Sequence, residues 1–346
     1  MQSSANIASK LNCYILPGRI TDVRVGLAEA KAAEAKGLGG VFLSEKWESK
    51  EIGSAMGALS QVTERVRLVT GLTHFGTRHP LVLAGMSATM QKLSSGRFVL
   101  GFGRSVPAKF RRLGIPVLNN AAMADYVGIL RKLWTGETIN YRGPVGEFPE
   151  MKLALPCSEP PPIIIGAIGP KTLALAGAHF DGVVLHPFLT PEGAARSVKI
   201  VRNAAMEAGR DPTIIKIYAT VVTVLDGVSQ AERAEVLEAR AVSYFMHREV
   251  GSVLIDMNGW DRGPMERLIE AGLADADFAA GNFARSREHL ARAVDMLPPW
   301  WLTSSAAVGD ARACVARLGE YLDAGADELL FHGAKPEHQA QVIDAF

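Results

Sequence analysis

Short apolar segments alternate with segments of helical length along most of the chain. The apolar segments contain few polar positions and end at glycine, proline or a polar residue, which is typical of buried parallel strands. They predict eight strands, at residues 11–16, 40–44, 66–70, 97–101, 162–166, 182–186, 216–222 and 328–331.

Helical patterns lie between these strands, and they predict helices at residues 22–36, 51–62, 80–93, 171–177, 191–208 and 309–324. Asp22 is the predicted N-cap of the first helix, and Pro80 begins the third. Alternating strands and helices indicate a parallel sheet that is covered on both faces. Eight such units favour a closed barrel over an open sheet. The predicted fold is α/β, a (β/α)8 TIM barrel with helical insertions.

Two stretches interrupt the alternation. Residues 104–159 are longer than one strand-to-helix connection and contain glycine and proline punctuation. Residues 229–302 carry helical patterns, at 230–248 and 283–296, but no strand pattern. Both are interpreted as insertions, so residues 1–346 are predicted to form a single barrel domain.

The chain has 346 residues, of which 48% are hydrophobic, and a formal net charge of +1. Because acidic and basic side chains nearly cancel, the charge gives no reason to expect nucleic acid or an anionic membrane as a partner. No apolar run approaches the roughly 20 residues that span a bilayer, and no signal-peptide pattern begins the sequence. These features predict a cytoplasmic protein.

The cysteines and the remaining motifs show which kinds of site the sequence does not favour. Cys13, Cys157 and Cys314 have no paired spacing, which predicts buried thiols rather than a disulfide or metal site. No zinc-ligand spacing and no Gly-x-Ser-x-Gly elbow is present in the sequence. We therefore expect no metal, and the sequence does not favour a hydrolase.

Active sites of (β/α)8 barrels lie at the carboxyl ends of the strands. Ionisable and polar residues follow several predicted strands, namely Glu45, Lys46, Trp47, Thr73, His74, Gly103, Arg104, Ser105 and His186. Gly169-Pro170-Lys171 follows another strand and opens a helix, whose N-terminus can bind an anion such as phosphate. In Gly103-Arg104-Ser105, the glycine allows close approach while the arginine and serine supply charge and a donor.

Three sequence blocks resemble a known family. They are 66–73 (VRLVTGLT), 77–84 (TRHPLVLA) and 93–103 (LSSGRFVLGFG), and the similarity continues at 133–137, 161–171, 188–192 and 308–327. At this mutual spacing the sequence resembles the luciferase-like monooxygenase superfamily, and more closely its F420-dependent oxidoreductases.

The resemblance implies an oxidoreductase that transfers a hydride between the deazaflavin coenzyme F420 and a small organic substrate. It implies a cis peptide bond at Gly71–Leu72 that supports the ring. The residues it implies for cofactor binding are Gly71, Leu72, Thr73, Gly103, Arg104, Ser105, Gly166, Ala167, Ile168, Gly169, Pro170 and Lys171. Relatives commonly carry an acidic residue and a histidine after the second strand, so Glu45 matches and Lys46 does not.

Glu45 and His74 are the residues expected to handle the coupled proton. Glu45 serves this role if burial raises its pKa, whereas pairing with Lys46 would lower that pKa. Arg78 is alternatively a structural partner of a carboxylate. Lys46, Trp47 and His186 are the residues expected to line the substrate.

Two other functions remain open on the same scaffold. One is an FMN-dependent monooxygenase, and the other is a relative that binds a ligand without catalysis. The resemblance also implies a homodimer, for which the small-residue face at Ala84, Ser87, Ala88 and Gln91 is suitable.

Overall fold

The computed structural model of the chain describes residues 7–17, 20–47, 49–105, 107–273, 287–333 and 339–346. Its strands, numbered in chain order, are β1 Leu11–Tyr14, β2 Gly40–Leu43, β3 Arg67–Thr70, β4 Thr73–His74, β5 Phe98–Gly103, β6 Ile139–Gly143, β7 Gly146–Met151, β8 Ile163–Ala167, β9 Gly182–Leu185, β10 Lys216–Leu225, β11 Ala306–Gly309 and β12 Glu328–His332. All eight predicted strands are present, as β1, β2, β3, β5, β8, β9, β10 and β12.

These eight strands form a closed parallel barrel in the order β1-β2-β3-β5-β8-β9-β10-β12. The barrel closes where residues 11–13 of β1 pair with residues 329–331 of β12. β10 pairs with β9 through residues 216–219 and with β12 through residues 218–222. The predicted (β/α)8 barrel is confirmed.

The inside of the barrel is filled by a ring of large side chains, each from a different strand. They are Phe42, Val69, Val99, Ile164, Val184, Tyr218 and Leu330, with Tyr14 and Leu72 packed against them. A larger apolar cluster lies between the strands and the surrounding helices. Because the barrel is packed solid, its chemistry is confined to its ends.

The amino end of the barrel is closed by an ion cluster. Two nitrogens of Arg67 donate to Glu328, at 2.9 and 2.5 Å, and Asn12 donates to Glu328 Oε2 at 2.9 Å. Arg67 also lies 3.3 Å from the hydroxyl of Tyr218. Glu328 is buried, so its charge needs these donors to offset desolvation. This end of the barrel therefore has a structural role.

The α-helices of the described residues are Val25–Ala35, Ile52–Ser60, Pro80–Leu93, Pro107–Arg112, Asn120–Thr135, Pro170–His179, Pro191–Glu207, Gln230–Arg233, Ala239–Phe245, Arg248–Asn258, Gly263–Glu270, Arg287–Asp295, Pro299–Ser305, Ala311–Asp323 and Ala340–Ala345. Several begin at side chains that accept hydrogen bonds from the first turn, such as Thr190 and Asp310. Asp22 is not the cap that was predicted. Its carboxylate instead accepts from the backbone and guanidinium of Arg24, after which the first helix begins.

Both predicted insertions contain structure that the sequence patterns described only in part. The first includes the hairpin of β6 and β7, which was not predicted. The helical pattern at 230–248 forms two α-helical segments joined by one π-helical turn, Ala234–Glu238. Of the pattern at 283–296, residues 283–286 lie outside the described residues. The helix predicted at 309–324 begins at Ala311, because residues 306–309 pair with β10 as β11.

The small-residue face proposed for dimer contact is inside the protomer. Ala84, Ser87 and Gln91 are buried, and Trp134 Nε1 donates to the carbonyl of Ala84 at 3.1 Å. These side chains pack the helix Pro80–Leu93 onto its own chain, so they do not offer a surface for a second copy. Ala88 is half-buried, and the homodimer itself stays a prediction.

Two further expectations concern the thiols and the membrane. Cys13, Cys157 and Cys314 are free and buried, as predicted. Within the described ranges, no helix is both long enough and apolar enough to cross a bilayer.

Candidate active site at the mouth of the barrel

The predicted site residues meet at the carboxyl end of the barrel. Glu45, Lys46 and Trp47 follow β2, and the short β4, which contains His74, pairs with the end of β5. The remaining segments end or follow β5, β8 and β9. Parallel strands bring these ends together at one mouth, as the sequence predicted.

A shelf at the centre of the mouth is formed by Leu72. The Gly71–Leu72 peptide bond is cis, which confirms the prediction. A Cβ built on Gly166 would lie 2.5 Å from Leu72 Cδ1, and Cβ atoms on Gly101 and Gly103 would lie 3.0 and 3.3 Å from its methyl carbons. Glycine at these strand ends therefore leaves the room that the Leu72 side chain occupies.

Glu45 is held in an ion-pair network beside this shelf. Arg78 donates to both carboxylate oxygens of Glu45, at 2.6 and 3.0 Å, and Thr73 donates to Oε2 at 2.6 Å. Arg78 also pairs with Glu51 at 2.5 Å. The side chain of Glu45 is fully buried, and that of Arg78 is 16% exposed. Arg78 thus fixes the loop after β4 to the segment after β2.

This network decides the protonation state of Glu45. Burial alone would raise the pKa of its carboxyl, but hydrogen bonds from Arg78 and Thr73 lower that pKa below its usual value. The carboxylate therefore stays ionised and hydrogen-bonded at neutral pH, which argues against the proton-transfer role predicted for it. Arg78, and not Lys46, is the cation that pairs with Glu45. The structural interpretation of Arg78 is confirmed.

His74 lies in an aromatic pocket next to this network. Its ring contacts Trp47 and Phe110, with centroid distances of 5.1 and 5.8 Å, and Lys109 Nζ lies 5.0 Å from the Trp47 ring centre. Burial lowers the pKa of His74 to about 4, although the charge of Glu45 opposes this shift. The imidazole is therefore neutral at neutral pH.

Two polar atoms of this pocket have no partner among the described residues. They are Nδ1 of His74 and Nε1 of Trp47, both buried. A buried polar atom without a hydrogen bond costs about 1–3 kcal/mol, so such atoms are rare in folded proteins. A ligand that offers hydrogen-bonding groups would satisfy both. Phe110, which completes the pocket, was not identified from the sequence because it belongs to the first insertion.

The two segments predicted to bind phosphate are brought together. Arg104 Nη1 donates to Asn120 Oδ1 at 2.7 Å and to Thr172 Oγ1 at 3.1 Å, in the first turn of the helix Pro170–His179. The N-cap of that helix is Gly169, and no side chain caps it. A guanidinium beside an uncapped helix N-terminus is a suitable anion site.

The other residues of the two predicted phosphate-binding segments lie close to the N-terminus of the helix Pro170–His179. Ala167 ends β8, Ile168 leads into the helix that begins at Pro170, and Lys171 occupies the first turn with an exposed side chain. Ser105 has a φ of 56°, a left-handed conformation that turns the chain sharply after β5. The predicted cofactor segments therefore form one continuous rim from β3 to β8.

The barrel and its mouth match a known protein family over most of the chain. A family profile described as luciferase-like monooxygenase matches residues 9–328. The chain belongs to this family. The resemblance read from the sequence blocks is thus confirmed, together with the oxidoreductase class that it implied.

Two curated relatives are similar over nearly the whole chain. The 5,10-methylenetetrahydromethanopterin reductase of Methanolobus tindarius is 26% identical over 305 residues, which cover 87% of each chain. The F420-dependent glucose-6-phosphate dehydrogenase of Nakamurella multipartita is 28% identical over 347 aligned positions, covering 94% of this chain and 88% of the relative. The solved structure of the coenzyme F420 dependent tetrahydromethanopterin reductase of Methanopyrus kandleri has a TM-score of 0.78 at 20% identity, with 97% of both chains covered. That structural likeness supports the fold alone.

In this luciferase-like protein, a second polar cluster lies on the opposite arc of the mouth. We call it the arginine cluster, and its members are Tyr14, His186, Arg240, Tyr244 and His332. Arg240 Nη1 lies 2.9 Å from His332 Nε2, and the ring of His332 lies 5.2 Å from that of Tyr14. The ring of His186 lies 4.5 Å from that of Tyr244. Strand ends of β1, β9 and β12 thus meet the helix Ala239–Phe245 here.

The histidines of the arginine cluster are neutral at neutral pH. Burial lowers the pKa of His186 to about 4, and the Nδ1 of His186 bonds the Pro187 carbonyl at 2.7 Å. Burial, aided by the charge of Arg240, holds the pKa of His332 well below its usual range. Of the five members, the sequence analysis identified only His186. His332 directly follows a predicted strand, so the same rule would have found it, whereas Arg240 lies in the insertion and carried no signal.

Proposed function

We propose that this protein is an F420-dependent oxidoreductase that transfers a hydride between the deazaflavin and a small organic substrate at the barrel mouth. The observation that carries this proposal is the glycine-lined shelf of Leu72, flanked by unpartnered polar atoms of His74 and Trp47. The similarity to relatives named as F420-dependent enzymes supports the choice of cofactor.

The shelf suits a flat ring because the adjoining strand ends carry no side chains. Gly103 and Gly166 leave the room that the Leu72 side chain occupies, so a planar group would rest on Leu72 and not on the backbone. The Trp47 N–H would donate to an oxygen of the ring system or substrate, and the neutral His74 would donate or accept at Nδ1. These residues would orient the reactants and exclude water.

The rim near Arg104 would hold the negatively charged part of the cofactor. The uncapped helix N-terminus at Gly169, Pro170 and Lys171 offers a partial positive charge, and Arg104 adds a full one.

Glu45 acts on this site through its neighbours. Its carboxylate fixes Thr73 and Arg78, which define the loop that carries His74. We therefore assign Glu45 a positioning role and keep His74 as the residue that contacts the reactants. Bound deazaflavin supplies the hydride chemistry, and the protein supplies position and hydrogen bonds.

The test is calorimetric titration of the purified protein with oxidised F420 and, separately, with FMN. We expect micromolar binding of F420 and no measurable binding of FMN. Tight binding of FMN alone would replace this proposal with an FMN-dependent monooxygenase. If neither cofactor binds, the chain is a relative without this catalysis.

A matched pair of variants separates the site from general stability. His74→Asn shortens the side chain that faces the pocket and should weaken F420 binding or slow hydride transfer. His247→Asn changes a histidine that accepts a bond from the Val250 N–H at the start of the helix Arg248–Asn258, and asparagine can take the same N-cap role. Equal effects of the two substitutions would contradict the assignment of His74.

A further inference from the structure

The arginine cluster contains a positive charge without a counter-ion. Throughout the described ranges, no carboxylate lies within ion-pairing distance of Arg240, which hydrogen-bonds the neutral side chains of His332 and Tyr244. Tyr244 is also neutral, because burial raises the pKa of its hydroxyl. The Arg240 side chain is half-buried, so a ligand that supplies a negative charge would complete the cluster.

The cluster also has hydrogen-bond donors in excess. A guanidinium can only donate, so Nη1 of Arg240 donates to Nε2 of His332, and the proton of that neutral imidazole is then on Nδ1. Nδ1 of His332 and Nε of Arg240 are both buried and have no partner among the described residues. Two N–H groups beside an uncompensated cation require acceptors, and preferably charged ones.

The position of the cluster relates it to the reaction. It lies on the arc formed by β9, β12 and β1, whereas the cofactor rim runs from β3 to β8. A molecule held by Arg240 would therefore share the mouth with the proposed cofactor without competing for its phosphate site.

We propose that the arginine cluster binds an anionic oxygen group of the substrate, a carboxylate or a phosphate, through Arg240 and the Nδ1–H of His332. This inference deepens the proposed hydride transfer by naming a class of substrate and rests on that proposal. The guanidinium fork fits either group, since it matches the geometry of carboxylate and of phosphate oxygens.

The experiment is calorimetric titration of the full chain, with and without saturating F420, using succinate and inorganic phosphate as probes at constant ionic strength. The difference between the wild type and Arg240→Gln isolates the arginine cluster from any other anion site. We expect Arg240→Gln to weaken the tighter of the two probes by about tenfold to a hundredfold, and Arg240→Lys to weaken it less, because lysine retains the charge but not the fork. Whichever probe binds more tightly identifies the class as carboxylate or phosphate.

The control variant is Arg233→Gln, in the preceding helical segment. Its side chain is 40% exposed, and its nearest carboxylate is Glu238 at 3.9 Å. Arg233→Gln should bind both probes like the wild type, and circular dichroism should confirm that all variants are folded. Binding of neither probe by the wild type, or equal binding by Arg240→Gln, would overturn the inference.

The titrations distinguish failure of the proposed hydride transfer from failure of the proposed anion site. Anion binding that depends on Arg240 in a protein that does not bind F420 would refute the hydride transfer and retain the site. F420 binding without Arg240-dependent anion binding would refute the site and retain the hydride transfer.

Discussion

The ion pair between Arg78 and Glu45 provides the sharpest test of how the mouth is held together. Arg78→Met retains much of the side-chain length but leaves the fully buried Glu45 carboxylate without its cation. Removing one partner of a buried pair costs about 3–5 kcal/mol. Thr73 and the backbone N–H of Ile52 still donate to Glu45, at 2.6 and 3.4 Å, so we expect the lower end, about 3 kcal/mol at neutral pH.

Urea denaturation followed by circular dichroism measures this cost. With a slope of about 2–3 kcal/mol per M, the midpoint should fall by about 1 M. The control Arg142→Met removes a guanidinium whose side chain is 84% exposed and lies 3.8 Å from Glu147. A surface pair of this kind contributes about 0–1 kcal/mol, so the control midpoint should barely move.

The pH dependence gives the sign of the effect. In the wild type the pKa of Glu45 is lowered, so the pair adds stability above the unfolded pKa, and this is lost as the pH falls through the folded pKa. Without Arg78, burial raises the pKa of Glu45 above its unfolded value. The folded variant then takes up a proton on acidification. The loss in its free energy of unfolding relative to the wild type should therefore shrink towards about pH 5. A deficit below about 1 kcal/mol, or one independent of pH, would refute this account of the network.

Three other outcomes are expected. Gly166→Ala would place a Cβ 2.5 Å from Leu72 Cδ1 and should weaken F420 binding about tenfold; the control Gly128→Ala, whose Cβ would have nothing within 4 Å, should leave that affinity unchanged. Burial lowers the pKa of Lys50 to about 8, and since the unfolded lysine keeps a higher pKa, stability should rise from about pH 8 to 10. In urea titrations, Lys50→Met should abolish most of this increase in the free energy of unfolding with pH. An unchanged increase would contradict the assignment to Lys50. Burial raises the pKa of the Cys314 thiol to about 11, so Cys314 should react with a disulfide reagent near neutral pH only after unfolding, as mass spectrometry of the labelled protein can show.

The barrel was predictable because its strands are buried on both faces. Their apolar runs stand out between polar connections, and even their order around the barrel follows from the rules for parallel strands. The hairpin at 139–151 was missed because its residues are mostly exposed or half-buried and lack an apolar signal. β11 was missed because Ala306–Gly309 is a run of small residues whose strand conformation depends on pairing with β10.

The site was predictable to the extent that it follows the strands. The rule that active-site residues follow the strands identified His74, Trp47 and Arg104. The rule could not show that Glu45 pairs with Arg78, because that contact depends on how two loops pack. Arg240 could not be identified as a site residue from the sequence, because it lies on a helical insertion whose contact with the barrel depends on tertiary packing. The burial of Ala84, Ser87 and Gln91 within the chain could not be predicted for the same reason, because small residues on a helix suit either interior packing or an interface.

The single π-helical turn at Ala234–Glu238 has an evolutionary consequence. Such a turn is equivalent to an α-helix that has gained one residue. Loss of one codon there would restore regular α-helix and leave the segments on the two sides of the turn in register, because the wider turn absorbs the extra residue. Arg240 and Tyr244 follow the turn, whereas the strands lie outside it. A change of one residue in chain length at this turn can therefore be absorbed without moving Arg240 and Tyr244 away from the histidines that they contact.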